Sequence, residues 1–396
     1  MNIHITKKGE KLTDIAEKYS VSEENIKNTN ELYELSPADG EELLILQPTR
    51  TYKVQFGDTP ERIALRFGIG KNDIFLNNPQ VIGRQLIQGE EITLKQGERK
   101  HGMAVANGYY YKDCNENRLF QLLPYLTYVT FASTVADERG IKRIFDDHRL
   151  VEKVSKEKKI PLIRVYDKYL SRYDLCKDIS EFAKELIELA ISGGYKGIVL
   201  NSSTFNNSAE KYSSFLIDLR KIMIGCDLIL ITEISPESPM EFCEYADGAV
   251  MYYPKYAENE PLSFDEGERK IFADFACLGE SAKAFIDLPC LGSVSGGYVG
   301  ISDALSRARR NGCEITHNES TLLSHYRDRK QGEVVFPSMQ SIKEIFEIIN
   351  EFDYMGICFD IMRVPMYQIL MYNALFKTSY MNSVRTREGC SRAVEE

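Results

Sequence analysis

The chain has 396 residues, 43% of them hydrophobic, and carries 49 basic against 59 acidic side chains for a net charge of −10. That acidic balance offers no positive stripe for tracking a phosphate backbone, so nucleic acid is not an expected partner, whereas an uncharged ligand is compatible with it. The length suits roughly two to three domains with an ample core.

Nine cysteines (Cys114, Cys176, Cys226, Cys243, Cys277, Cys290, Cys313, Cys358 and Cys390) are odd in number and scattered. They form neither a CxxC pair nor a His-containing zinc spacing, so free, mostly buried thiols of a reducing compartment are expected, with no metal and no cofactor. The opening residues, Met1 to Leu12, hold no apolar signal core, and no run approaches the roughly 18 apolar residues of a membrane span.

The front of the chain repeats itself. Gly9, Ile15, Ala16, Tyr19, Val21, Ile26 and Asn30 recur at a constant offset of 48 residues as Gly57, Ile63, Ala64, Phe67, Ile69, Ile74 and Asn78. Each unit opens on an alternating strand, Ile3-His4-Ile5 or Tyr52-Lys53-Val54, followed by a Gly turn. An apolar helical stripe comes next, Leu12, Ile15, Ala16 and Tyr19 or Ile63, Ala64 and Phe67, then a second short helix around Ile26 or Ile74. A Gly turn and a short strand, 39–43 or 88–92, close the unit, which gives the order βααβ.

From about residue 100 apolar runs alternate with helical stretches. Strands are predicted at 103–110, 128–132, 161–167, 197–201, 228–233, 248–253, 284–288 and 356–360, and helices at 180–191, 208–223, 301–311 and 341–352. Eight βα steps over this length predict an α/β fold, a (β/α)8 TIM barrel with its active site at the C-terminal strand ends. The expected division is 1–48 and 49–97 for the two small modules, 100–380 for the barrel and 381–396 for a flexible tail containing Arg385, Arg387 and Arg392.

The second repeat, with Tyr52-Lys53-Val54-Gln55-Phe56-Gly57-Asp58-Thr59, Ile63-Ala64, Phe67 and Asn77-Asn78-Pro79, resembles the LysM module. The first departs from it, having Gly9-Glu10-Lys11 where the family has Gly-Asp-Thr. LysM modules bind N-acetylglucosamine-containing glycans between the first strand–helix loop and the loop after the second helix. The resemblance therefore implies contacts from Gly57, Asp58, Thr59, Pro60, Asn78, Pro79, Gln80, Val81 and Ile82, and from Gly9, Glu10, Lys11, Asn30 and Leu32. The alternative is that these residues only form turns and helix caps. Two tandem copies suit avidity for a polymeric glycan such as peptidoglycan.

The barrel segments resemble, in order, glycoside hydrolase family 18, in particular the spore cortex-lytic N-acetylglucosaminidases that carry two LysM modules in front. The carriers are Asn107-Gly108-Tyr109, Leu123-Pro124-Tyr125-Leu126-Thr127-Tyr128, Tyr195-Lys196-Gly197-Ile198, Val250-Met251-Tyr252, residues 286–292, and Val335-Phe336 with Ser341-Ile342. That family protonates the glycosidic oxygen with a strand-four Glu, while Asp residues orient the substrate acetamido group. Its motif, Asp-Gly-x-Asp-x-Asp-x-Glu, falls on Lys196 to Ser203, where Lys196, Val199, Asn201 and Ser203 replace all four acids. A serine hydroxyl is far too weak an acid for the donor's part near neutral pH. The family's strand-eight Trp falls on Asp360, and the chain has no Trp. The resemblance still implies a sugar-holding mouth formed by Tyr109, Tyr252, Tyr253 and Asp360, with packed aromatics as the alternative for the tyrosines.

Four predicted strands end in carboxylates, Asp167, Glu233, Asp287 and Asp360, which a parallel barrel would gather at one face as a fresh acid/base pair or as structural ion pairs with Arg164 and Arg363. Ser203 as a nucleophile lacks a companion histidine, since His4, His101, His148, His317 and His325 all read as loop residues. The leading expectation is a non-catalytic peptidoglycan-binding protein of the spore or cell wall. The alternatives are a cortex-lytic glycosidase using relocated carboxylates and a spore-coat assembly scaffold, which predicts a large exposed apolar patch and coat-protein partners. A wall ligand combined with no visible signal peptide points to synthesis in the mother cell and deposition on the spore cortex or coat; the alternatives are the cell wall, reached by another export route, and the cytoplasm.

Overall fold

The computed structural model describes residues 1–33, 36–97, 101–137, 140–167, 175–201, 209–234, 245–251, 266–279, 281–330 and 332–378. In the first module β1 (Asn2–Ile5), α1 (Leu12–Tyr19), α2 (Glu23–Thr29) and β2 (Glu42–Ile45) follow in order, with the two strands antiparallel. Ile15, Ile26, Leu32, Leu43 and Ile45 form its core, and Ser22 starts α2 by accepting the Asn25 N–H. The second module repeats the plan with β3 (Arg50–Lys53), α3 (Pro60–Phe67), α4 (Lys71–Asn77) and β4 (Glu91–Lys95). Thr59 caps α3, Pro60 opens it with a ring that needs no N–H, and Gly68 ends it at φ 66°.

A closed barrel follows. Its elements in chain order are β5 (Met103–Tyr110), α5 (Glu116–Leu122), β6 (Tyr128–Asp137), β7 (Gly140–Arg143), α6 (His148–Lys156), β8 (Ile160–Asp167), α7 (Leu175–Ser192), β9 (Gly197–Asn201), α8 (Ala209–Gly225), β10 (Ile229–Ile234), β11 (Gly248–Met251), α9 (Glu266–Cys277) and β12 (Ala284–Asp287). Strands β5, β6, β8, β9, β10, β11, β12 and β18 (Gly356–Asp360) pair in parallel, and the β5–β6 and β18–β5 ladders close the ring. One side of each strand fills the interior, with Val105, Leu162, Val199, Ile231, Val250, Phe285 and Cys358, while the other packs against the helices. This period-two alternation, buried on both faces, explains why the strands read as near-continuous apolar runs.

Each of the eight predicted barrel strands is present. Residues 252 and 253, placed in the sixth strand from sequence, lie outside the described residues, as do residues 379–396, which hold the predicted tail. What the sequence reading lacked is a five-stranded antiparallel sheet between β12 and β18. It is formed by β13 (Leu291–Val294), β14 (Gly297–Gly300), β15 (Thr316–Asn318), β16 (Leu323–Asp328) and β17 (Gly332–Pro337) in the order β14-β13-β17-β16-β15, and α10 (Ile301–Asn311) packs on it. Its strands are short and broken by turns, and apolar periodicity has little purchase on three- and four-residue segments. Helix α11 (Met339–Glu351) then leads back to β18, α12 (Met366–Leu375) covers the ring, and β19 (Lys377–Thr378) adds to β5.

Four histidines lie outside the loops expected for them: His317 in β15 and His325 in β16 of the added sheet, His4 in β1, and His148 at the start of α6. Among the cysteines whose side chains are described none is in a disulfide; Cys114, Cys290 and Cys358 are buried, whereas Cys226 and Cys277 are exposed.

The modules are docked on the barrel. Arg309 of α10 forms a buried ion pair with Glu41 (Nη2 to Oε1, 2.6 Å) and donates to the carbonyls of Asn30 and Glu31. The Ile315 N–H donates to the Asp39 carbonyl at 2.8 Å, and a Cβ on Gly40 would stand 2.0 Å from the Ile315 carbonyl oxygen. On the other module, the Leu76 carbonyl accepts from Tyr125 at 2.9 Å and from Asn373 at 3.0 Å. No described helix is long and apolar enough to cross a membrane.

Candidate functional site

The barrel mouth is built on the C-terminal ends of β5, β8, β9, β10, β12 and β18. Parallel register sets Glu233 beside Asn201, Asp287 beside Cys358, and Asp360 beside Tyr109. Glu233 is 1% exposed and receives both arms of Arg164 (Nε to Oε1, 2.6 Å; Nη2 to Oε2, 2.8 Å) together with the Tyr109 hydroxyl at 3.0 Å. The Arg164 guanidinium also lies over the Tyr109 ring, 5.8 Å from its centroid. A bidentate pair of this kind is strong and directional, and it aims the carboxylate at the arginine.

Asp360 is committed as well. One oxygen accepts the N–H groups of Met362 and Arg363, closing the turn after β18, and the other meets the Arg363 guanidinium, which also reaches Asp113 at 3.4 Å. Asp287 differs from both. Burial pushes its carboxyl well above the usual value of 3.8, and the charges of Glu233 and Asp360 push in the same direction against Arg164. Among the described residues it makes no hydrogen bond or ion pair of its own. Among the described residues, the mouth thus holds two carboxylates locked to arginines and one half-buried carboxyl whose pKa is raised.

The other sequence candidates are placed as follows. Val199 joins the apolar interior, Asn201 is buried above it at the end of β9, and Lys196 is exposed before that strand begins. Tyr109 was expected to hold sugar, yet it is 2% exposed with its hydroxyl spent on Glu233, so its ring offers no open stacking face. Tyr111, two residues on and stacked on Tyr109 at 6.3 Å, is the half-buried aromatic there and was missed. The tyrosine run at 109–111 at the strand's end was the available signal. Ser203, Tyr252 and Tyr253 lie outside the described residues; Asp167 ends β8, but its side chain does too. Cys290 and Cys358 near the mouth are driven up by burial and by Asp287, and Cys114 is pushed up to about 11, so none of these thiols supplies a thiolate near neutral pH. Among the described residues no cluster of His, Cys, Asp or Glu is arranged to hold a metal ion.

In the modules, Asn78 is buried and fully engaged: its Nδ2 donates to the Ile74 and Thr93 carbonyls and its Oδ1 accepts the Thr93 N–H. Asn30 does the same with Ile26 and Leu44. These two side chains, with the core residues Leu32 and Val81 and the buried Pro79, hold the fold and leave no polar side-chain atom for a ligand. Asp58 accepts from Tyr52 at 2.7 Å and from the Gln55 N–H at 2.8 Å, and Glu10 repeats this with His4 at 3.0 Å and the Lys7 N–H at 2.8 Å. Gly57, Thr59 and Gly9 are exposed, Pro60, Gln80 and Ile82 are partly so, and Lys11 stands exposed before α1.

Residues 4–39 and 52–89 match the family model of the LysM domain. Both N-terminal modules are LysM domains. Comparison with curated proteins gave no significant match. Among solved structures the chain is similar to the spore cortex-lytic enzyme SleL of Bacillus megaterium QM B1551, with a TM-score of 0.73 and 18% identity over 96% of this chain and 99% of that one. The Bacillus cereus spore cortex-lytic enzyme SleL gives 0.72 and 18% over 96% and 98%. A chitinase from Chromobacterium violaceum ATCC 12472 gives 0.59 and 14% over 68% and 98%, a coverage without room for the LysM domains. The fold is therefore a barrel of the glycoside hydrolase family 18 type preceded by two LysM domains.

Proposed function

We propose that the chain is an attachment protein for an N-acetylglucosamine-containing glycan such as the peptidoglycan of a spore cortex or cell wall, with the barrel serving as a non-hydrolytic scaffold. One observation carries this reading: the fold of cortex-lytic enzymes is kept, while the strand-four positions where that family has its acids hold Lys196, Val199, Asn201 and Ser203. The ion pairs of Glu233 and Asp360 support it further, because a carboxylate whose oxygens are already engaged by an arginine is not placed to hand a proton to a glycosidic oxygen. The similarity to SleL also favours deposition at the spore. Co-sedimentation with purified cortex peptidoglycan should retain the chain without releasing new reducing ends, and steady release of reducing ends would reject the scaffold.

A second reading, a glycosidase with a relocated acid, draws on Asp287, whose raised pKa is what a proton donor requires. It requires that Asp287→Asn abolish any hydrolysis observed. The assembly-scaffold alternative draws on Ile191, Ile222, Ile224 and Leu278, which are exposed at the C-terminal ends of α7, α8 and α9.

A further inference from the structure

The two LysM domains are not equivalent in what they leave free. Equivalent positions are fixed by equivalent bonds: the Lys7 N–H to Glu10 matches the Gln55 N–H to Asp58, and the Ala38 N–H to Glu41 matches the Ile87 N–H to Glu90. Lys8 therefore corresponds to Phe56 and Ala38 to Ile87. Phe56 is 90% exposed and Ile87 62% exposed, whereas Ala38 is buried. The antiparallel register that pairs Lys53 with Glu91, continued by the Val54–Gly89 hydrogen bond, carries Phe56 and Ile87 to facing loops. Two neighbouring loop tips of the second domain thus hold large apolar side chains out into water, at a cost that contact with an apolar surface would remove.

The same region of the first domain is spent on the barrel. The carbonyls of Asn30 and Glu31 accept from Arg309, the Glu31 carboxylate accepts the Met366 N–H at 3.0 Å, and His317 meets the Gly40 carbonyl at 2.7 Å. Across the two loops, the Gly9 N–H is tied to the Asp39 carboxylate at 3.2 Å. The second domain also meets the barrel at the end of α4 and just beyond it, through the carbonyls of Phe75, Leu76 and Pro79, the last equivalent to Glu31, but its loops at 55–57, 83–85 and 87–89 are exposed.

We propose that glycan recognition belongs to the second LysM domain alone, with Phe56 and Ile87 as its apolar contacts, and that the first domain is a clamp holding the pair on the barrel. This rests on the attachment reading above and assigns it to one of the two repeats. The pyranose ring of N-acetylglucosamine has a face of C–H groups and carries an acetamido methyl, surfaces that an aromatic ring and a branched aliphatic side chain cover well. The polar edges are left to the exposed backbone around Gly57 and Thr59.

The test is calorimetric titration of the full chain with chitotetraose. The expected stoichiometry is one oligomer per chain; the double variant F56A/I87A should lose about tenfold or more in affinity. Lys8→Ala should bind within about twofold of the native chain, and Phe56→Tyr, which keeps the ring, should retain binding. Since Phe56 and Ile87 are exposed, the melting temperature of F56A/I87A should match the native one, which separates lost contact from lost fold. Two oligomers per chain, or native-like affinity in F56A/I87A, would overturn the assignment while leaving glycan attachment intact. No binding by the native chain to chitotetraose or to cortex peptidoglycan would instead remove the attachment reading itself.

Discussion

Asn30 and Asn78 occupy equivalent corners, and each holds the end of one helix to the closing strand with three hydrogen bonds from one amide. Asn78→Ala strands the Thr93 N–H and two carbonyls in a buried place, which predicts a loss of about 3 kcal/mol in the stability of the second domain, checked by hydrogen exchange at Thr93. The loop acid follows the same logic with a substitution. Where the second domain pairs Tyr52 with Asp58, the first pairs His4 with Glu10, whose carboxyl is lowered chiefly by the Lys7 N–H. A resemblance read residue by residue takes Glu10 as a departure from the family, but the structure shows it keeping the loop-bracing bond. Asp287 gives the pH prediction. Its folded pKa is raised, so the folded chain holds this proton more tightly than the unfolded one; its stabilising share is full below about pH 4 and is lost as pH rises through the folded value. Asp287→Asn should therefore melt above the native chain by a margin that grows as pH rises above about 4, and a margin independent of pH would refute the burial account.

Between elements, the joint of β2, the turn before it and α10 rests on a buried ion pair, with side chains 4% exposed for Arg309 and 1% for Glu41. Removing one member leaves the other charged and dry, at about 3 to 5 kcal/mol. Arg309→Met should therefore free the first LysM domain to proteolysis and fast amide exchange, and Glu41→Gln in the Arg309→Met background should recover part of the loss. Gly40→Ala should act at the same joint, because the φ of 77° and the Ile315 carbonyl both exclude a side chain there. In the second domain Glu90 finds its arginine at home, Arg84 at 2.7 Å, so the equivalent acid makes no demand on the barrel. Only the first repeat spends this acid on the barrel, a difference set by the placement of a single partner.

For the whole molecule, the domains share buried polar contacts with the barrel on two sides, Arg309 with Glu41 and Tyr125 with Leu76. They also touch one another where Ser22 donates to Glu91 at 2.7 Å. Parts so joined should unfold together, so calorimetry of the native chain is expected to show one transition, and Arg309→Met should split off a smaller one at lower temperature. Two separate transitions in the native chain would mean that the joints are weaker than their burial implies. A rigid front end would also set the exposed loops of the second domain at a fixed place relative to the barrel mouth.

The repeat, the eight barrel strands and the replaced acids of strand four could all be read from the sequence, because each rests on local periodicity or on residue identity at a motif position. Constant spacing marks Gly9 and Gly57, apolar runs mark strands buried on both faces, and a serine at position 203 is a serine in any fold. Tertiary structure alone decided the rest. It gave Glu233 to Arg164 and Asp360 to Arg363, raised the pKa of Asp287, spent Asn30 and Asn78 on the fold, and set Arg309 against Glu41 across 268 positions of sequence. These outcomes depend on which charge lies beside which in a dry place, and Coulomb energy and desolvation are set by distances in space that spacing along the chain does not record.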